Sequence, residues 1–277
     1  NERMMCHYCG FSQPRPKRCP RCDGPMKSVG VGTQKAKEEL NRLAPEIEID
    51  RMDADTVTAT NSHQQILDHF TENHVPVLIG TQMVAKGLNL PDVTLVGVLD
   101  ADLGLYSDSF RAAETTFNML TQVVGRAGRG DAPGQAMIQT LVPQHQVIRL
   151  AAEQNYEGFY ELEIGMRRIQ NCPPFGDIAH ITFVGQDESQ VLRAGAKFRD
   201  SLLHCFQMPA YAGENCTVLG PAPCPVPKIN YNFRHRLTLR CRMSKPLRLL
   251  LAHLLRQFSA DRENRGVTAY IDVNGFD

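Results

Sequence analysis

Val77-Leu78-Ile79-Gly80-Thr81-Gln82-Met83-Val84-Ala85-Lys86-Gly87-Leu88-Asn89-Leu90-Pro91 is an apolar run that stops at a glycine and gives way to small and hydroxylated residues. The run reads as a strand, and ligands of open α/β sheets collect at the carboxyl ends of strands. Gly80, Thr81 and Gln82 stand at such an end, where a phosphate or a nucleic-acid backbone can approach the main chain. Outward from this stretch, apolar runs alternate with amphipathic ones, the pattern of a parallel sheet covered by helices. Strands are predicted at 28–31, 47–51, 75–79, 94–99 and 135–140, with helices at 34–43, 62–73 and 111–124. These form one α/β domain over 28–143.

A long helical segment over 145–169 follows, with Tyr156, Phe159, Tyr160 and Ile164 at helical spacing. It reads as a connector, 144–175, ending at Pro173-Pro174. Beyond it the predicted order is strand (178–184), helix (190–206), strand (217–220), strand (233–242), helix (246–258) and strand (267–273). That β-α-β-β-α-β order is the ferredoxin-like, split βαβ unit, over 176–277. Leu247, Leu250, Leu251, Leu254 and Phe258 share one stripe of its second helix and predict its core face.

In Gln122-Val123-Val124-Gly125-Arg126-Ala127-Gly128-Arg129-Gly130, positions 122, 126 and 129 stand at i, i+4 and i+7. If the segment is helical, one amide and two guanidiniums project from one face. Gly125 and Gly128 keep the backbone slim, so an anion can come close. Paired guanidinium forks suit a γ-phosphate, and an arginine finger is worth roughly 10³–10⁵ in rate. A solvated Arg/Gly turn would not require this register.

Four of the nine cysteines fall as C-x2-C-x9-C-x2-C: Cys6, Cys9, Cys19 and Cys22. Each C-x2-C knuckle turns two sulfurs toward one ion, the geometry of tetrahedral Zn²⁺. The nine-residue gap is shorter than the usual fifteen to twenty, which leaves open whether one site closes here. His7 is placed to stack or to bond a phosphate rather than to ligate. The odd cysteine total favours reduced thiols.

Lys+Arg and Asp+Glu both total 30, which excludes a uniformly basic coat protein. Residues 1–37 nevertheless carry eight basic groups against two acids, and residues 215–260 carry eight against none. Residues 38–214 carry twelve against twenty-four. Two basic surfaces flanking an acidic body suit a protein that tracks a polyanion with part of its surface. Lys228, Arg234, Arg236 and Arg240 are the candidate DNA contacts of the second. No stretch is apolar enough to predict a membrane span, and Asn1-Glu2-Arg3 is unlike a signal peptide, so a cytoplasmic protein is expected. The start at Asn, with a metal-type motif within six residues, reads as a piece of a longer chain cut through its cysteine segment.

At these residues the sequence resembles the second motor lobe of superfamily 2 helicases: Gly80 through Gly87 is similar to motif V, and Gln122 through Arg129 to motif VI. The resemblance narrows to the primosomal replication-restart helicases, the primosomal protein N-prime family, and spans nearly the whole chain. Pro91-Asp92-Val93-Thr94-Leu95-Val96, Leu99-Asp100-Ala101-Asp102, Arg51-Met52-Asp53-Ala54-Asp55, Phe110-Arg111-Ala112-Ala113-Glu114, Cys172-Pro173-Pro174-Phe175 and Leu219-Gly220-Pro221-Ala222-Pro223 carry it. Ser109, Thr115 and the stretch Asp272-Val273-Asn274-Gly275 depart from the family pattern.

The resemblance implies a RecA-like lobe in an ATP-dependent 3′–5′ DNA helicase that recognises abandoned forks and initiates primosome assembly. Gln122, Arg126 and Arg129 would complete the ATP site. Gly80, Thr81, Gln82, Lys86, Gly87, Asp100 and Asp102 would couple hydrolysis to strand contacts. The family's cysteine insertion holds two interleaved sites from eight cysteines, so the four present close one makeshift site or bind poorly. Implied partners are forked and single-stranded DNA, single-strand-binding protein and primosome proteins, with a monomeric, nucleoid-associated protein expected. No G-x-x-x-x-G-K-[ST] loop is present to hold ATP and Mg²⁺, so the chain alone is expected to show no appreciable ATPase. The rival expectation is a nonenzymatic zinc-ribbon adaptor, which would have no need of Gln122, Arg126 and Arg129 in register.

Overall fold

A computed structural model describes residues 3–5, 12–14, 16–25, 32–53, 60–81, 93–107, 109–125, 134–211 and 213–275. The chain divides into a unit of residues 27–163 and a unit of 164–277 together with 1–26. In the cysteine segment β1 (Arg3–Met5) and β2 (Ser12–Pro14) pair antiparallel, Met4 opposite Gln13.

The unit of 27–163 runs α1 (Thr33–Leu43), β3 (Ile49–Met52), α2 (Thr60–Glu72), β4 (Val77–Gly80), β5 (Leu95–Val98), α3 (Asp102–Leu105), α4 (Ala112–Val124), β6 (Gln135–Ile138), α5 (Gln146–Ala152) and the start of α6 (Tyr156–Ile169). β3 and β4 pair in parallel with Met52 opposite Gly80; β5 and β6 pair in parallel with Val98 opposite Ile138. The expected single parallel sheet is therefore present, among the described residues, as two parallel pairs. Strands of four residues support short ladders, and the sequence between the pairs, 82–92, lies outside the described residues, as does the strand predicted at 28–31. Helices cover the strands: α1 and α2 lie against β3, and α4 against β5 and β6.

The core of this unit corrects the reading of 145–169 as one helical connector. The segment breaks at Glu153–Asn155, where Gln154 takes a left-handed φ of 53°. Each half has its own cap: the His145 ring accepts the Val147 N–H at 3.3 Å, and Asn155 Oδ1 accepts the Gly158 N–H at 2.9 Å. The break lets both short helices turn apolar faces onto α4. Val147, Ile148, Ala151 and Phe159 pack with Phe117 and Leu120, so this stretch is core of the lobe. Phe117 and Phe159 stack with centroids 4.0 Å apart and planes 8° apart.

In the other unit β7 (Asp177–Gly185), α7 (Glu188–Phe206), β8 (Thr217–Ile229), β9 (Asn232–Cys241), α8 (Lys245–Ala260) and β10 (Val267–Val273) follow in order. Every ladder is antiparallel, and the sheet order is β10-β7-β9-β8. Ala179, Ile181, Phe183, Leu237 and Leu239 meet the stripes of α7 and α8, including Leu247, Leu250, Leu251, Leu254 and Phe258 as predicted. Asp187 and Ser244 cap the two helices, accepting the N–H groups of Gln190 at 3.0 Å and Leu247 at 3.1 Å. β8 runs nine residues past its predicted end at Gly220. Pro221, Pro223, Pro225 and Pro227 do not end it, because on an edge strand one row of backbone positions meets no neighbour and proline is tolerated there. Among the described residues no helix is long and apolar enough to cross a membrane.

Candidate nucleotide and nucleic-acid sites

The register of the first parallel pair places Met52 beside Gly80, so the next residues, Asp53 and Thr81, leave the sheet at the same carboxyl edge. Thr81 is exposed and Asp53 is buried. The Asp53 carboxylate accepts the hydroxyl of Thr33, in the first turn of α1, and pairs with Arg51 Nε at 3.2 Å. Arg51 also donates to Gln34. Asp53 therefore fastens the start of α1 to the end of β3 and acts as a positioning group. The sequence reading left Asp53 and Thr33 out of the site; the signal was an Asp two residues past the predicted strand 47–51. Gln82, Lys86 and Gly87 lie outside the described residues.

At the second parallel pair Asp100 takes a left-handed φ of 51°, and its N–H donates to Gln139 Oε1 at 3.3 Å. Asp102 is buried, and its carboxylate accepts the Thr140 hydroxyl at 2.6 Å and the Leu141 N–H at 2.8 Å. Burial alone would push its pKa up; the hydrogen bonds from Thr140, Leu141 and Val142 outweigh burial and hold it below the ordinary carboxylate value. A carboxylate so occupied ties two loops together and is not open to ligand. Gln122 is exposed on the last turn of α4, which ends where Gly125 donates its N–H to Thr121 O at 2.9 Å. Arg126 and Arg129 lie outside the described residues.

The β8–β9 hairpin carries the second basic surface. Lys228 is exposed, with its ammonium 4.3 Å from the centroid of the Phe233 ring. Arg234 donates to Val226 O at 3.5 Å and to the Tyr270 hydroxyl at 3.4 Å. Tyr231 at the hairpin tip is 85% exposed, which adds an aromatic face the sequence reading missed. Its signal was the interleaving of aromatic and basic residues in Lys228-Ile229-Asn230-Tyr231-Asn232-Phe233-Arg234. Arg240 is half-buried. Arg236 departs from expectation: it sits mid-strand between Thr182 of β7 and Ala222 of β8, is 4% exposed, and is shut off from a ligand.

Cys19 and Cys22 form a closed turn. Cys19 N–H donates to Gly24 O and Asp23 N–H to Cys19 O, both at 2.8 Å, with Asp23 left-handed at φ 55°. The backbone N–H groups of Arg21 and Cys22 aim at the Cys19 sulfur, as does the Cys22 thiol, and together lower its pKa. Converging sulfurs fed by backbone N–H groups suit half of a thiolate zinc site. Among the described residues no third His, Cys, Asp or Glu joins them. Cys6 and Cys9 lie outside the described residues.

Residues 27–131 match the family described as Helicase conserved C-terminal domain, and residues 168–275 match Primosomal protein N C-terminal domain. The chain is 38% identical over 276 residues to Replication restart protein PriA of Bacillus subtilis (strain 168), covering 99% of this chain and 34% of that protein. The chain belongs to the PriA family. It is also 39% identical over 241 residues to PriA of Synechocystis sp., covering 86% of this chain and 28% of that protein. To PriA of Chlamydia muridarum it is 32% identical over 274 residues, covering 98% and 35%. The chain thus spans about a third of the length of the PriA proteins it matches. Of the two regions matched within the PriA family, one contains the parallel pair β3–β4 and all of α4, and the other contains β7 through β10.

Proposed function

We propose that this chain supplies the second motor lobe and C-terminal module of a replication-restart helicase, an ATP-driven enzyme that unwinds DNA 3′ to 5′, recognises abandoned forks and starts primosome assembly. The observation that carries the reading is the carboxyl edge of β3 and β4, where Thr81 stands exposed next to a buried Asp53 held by Thr33 and Arg51. Gln122, Arg126 and Arg129 act on the γ-phosphate of ATP, and Gly80, Thr81, Gln82, Lys86, Gly87 and Asp100 couple its hydrolysis to strand contacts. Asp102 serves them by position. ATP and Mg²⁺ need a phosphate loop that this chain lacks, so the chain alone turns over no ATP.

Cys6, Cys9, Cys19 and Cys22 hold Zn²⁺ as thiolates, a structural ion that fixes the cysteine segment. The β7-to-β10 module is read as ferredoxin-like. Its Lys228, Arg234 and Arg240 meet forked or single-stranded DNA, with single-strand-binding protein and primosome proteins as further partners at the nucleoid. In the protein carrying both lobes, Arg129→Lys should leave DNA binding nearly intact and abolish DNA-stimulated ATP turnover. Normal turnover in that variant would overturn the motor assignment.

A further inference from the structure

Two thiols face each other in the C-terminal unit. Thr217 of β8 pairs with Arg240 of β9, so one step along that ladder sets Cys216 directly across from Cys241. Cys241 is buried and Cys216 half-buried. Cys241 belongs to the hydrophobic cluster of Ile181, Leu237 and Leu239, and Cys216 packs against it. Each side chain shifts the titration of the other. Directly opposed residues of antiparallel strands have Cα atoms about 4.5–5.5 Å apart. Disulfides span about 4.4–6.8 Å between Cα atoms, so directly opposed positions lie within reach of a bridge.

We propose that Cys216 and Cys241 are a modification site, closing as a reversible cross-strand disulfide when the protein meets a low-molecular-weight disulfide such as oxidised glutathione. One protein sulfur, as thiolate, displaces one glutathione thiol and forms a mixed disulfide. The second protein sulfur attacks that bond, forms Cys216 Sγ–Cys241 Sγ and releases the second glutathione. Two electrons pass to the oxidant's S–S bond, and the two protein thiol protons end on the two released thiols.

Of the two, Cys241 is the first to lose its proton. The contact with Cys216 lowers the Cys241 pKa. The same contact pushes Cys216 up, reinforced by burial and by the charges of Cys241 and Glu214. One thiolate beside one thiol is the arrangement that exchange requires. The bridge would fasten the open end of the β8–β9 hairpin, remote from Tyr231 at its tip, and pin the edge strand that carries Lys228. It does not depend on the helicase reading.

The test incubates the chain in a series of oxidised-to-reduced glutathione ratios, quenches with N-ethylmaleimide in denaturant, digests, and maps peptides by mass spectrometry without reduction. The expected product is one linked peptide pair joining Cys216 to Cys241, lost on adding dithiothreitol and absent from Cys216→Ser. Because Cys241→Ser alters the core, Cys216→Ser at the half-buried position carries the comparison, with circular dichroism to verify its fold. Recovery of both cysteines alkylated at every ratio overturns the proposal. So does Cys216 stopping as a glutathione adduct with Cys241 alkylated.

Discussion

Asp102 at the start of α3 holds the hydroxyl of Thr140 at 2.6 Å, across 38 residues of sequence and just past the end of β6. This one carboxylate locks the loop that follows β5 against the loop that follows β6. Asp102→Ala is expected to lower the unfolding free energy by about 1.5–3 kcal/mol, the range for a hydrogen bond to a charged group. An unchanged urea midpoint would contradict that role. Because the folded pKa lies below the unfolded value near 3.9, the stabilisation is present above about pH 4 and disappears as pH falls through the folded value. Stability measured from pH 5 to pH 2 should therefore fall more steeply in the wild type than in Asp102→Asn.

His69 of α2 and Asp50 of β3 give the opposite sign. The ring lies 3.1 Å from the carboxylate, and that hydrogen bond raises the His69 pKa. Its contribution is fully present below about pH 6.5 and is lost as pH rises through the folded value. An NMR titration should find His69 above the ordinary histidine value in the wild type and return it toward that value in Asp50→Asn. A titration unaffected by the substitution would show that the contact is absent in solution.

Much of the second unit was legible because its signals are local. The strand predicted over 178–184 is β7, and the leucine stripe of α8 predicted a buried face that is buried. What stayed hidden depended on neighbours. The prolines of β8 read as breakers until the strand is known to lie at an edge, and Arg236 reads as a surface cation until strands are known to flank it. Helical spacing from Val147 to Ile164 continues across Gln154, so only the Asn155 cap could have announced the break. At the candidate site Thr81 stands out in the sequence by its place after a strand and Gln122 by its spacing to Arg126 and Arg129, whereas Asp53 acts through Thr33, a partner twenty residues away.

Phe159→Ala should cost about 3–5 kcal/mol, the usual loss when a buried phenylalanine is truncated. The ring stacks on Phe117 and joins α6 to α4. Urea unfolding of the chain, followed by circular dichroism, should show the lobe's transition moved to lower urea. A shift below about 1 kcal/mol would mean that the stack is not part of the core.

Gly220 sits at φ +97°, and a Cβ there would meet Arg236 O at 2.7 Å. Gly220→Ala combines backbone strain with a backbone clash, and a loss of about 1–3 kcal/mol is expected. Substitution at Gly213, which has open space around its Cβ, is the control and should change stability by less than about 0.5 kcal/mol.

Lys228→Ala and Arg234→Ala should each weaken single-strand DNA binding and lower the salt slope by about one phosphate contact. Tyr231→Ala should weaken binding by about 1–3 kcal/mol with the salt slope unchanged, as stacking on a base predicts. Arg236→Ala should instead reduce thermal stability. If Arg236→Ala altered the salt slope like Lys228→Ala, its burial would not persist in solution.

The order β10-β7-β9-β8 also sets the schedule on which the module can fold. Ala179, near the start of β7, pairs with Val273 at the end of β10. The interior strand thus waits for almost the last residue of the module to be synthesised, and pairings so distant in sequence fold slowly. Until Val267–Val273 leaves the ribosome, β7 presents a bare edge ready to pair with another chain. Nascent or truncated forms ending before Val267 should be the ones that aggregate and call on chaperones, although every residue of the hairpin's basic surface would already be in place.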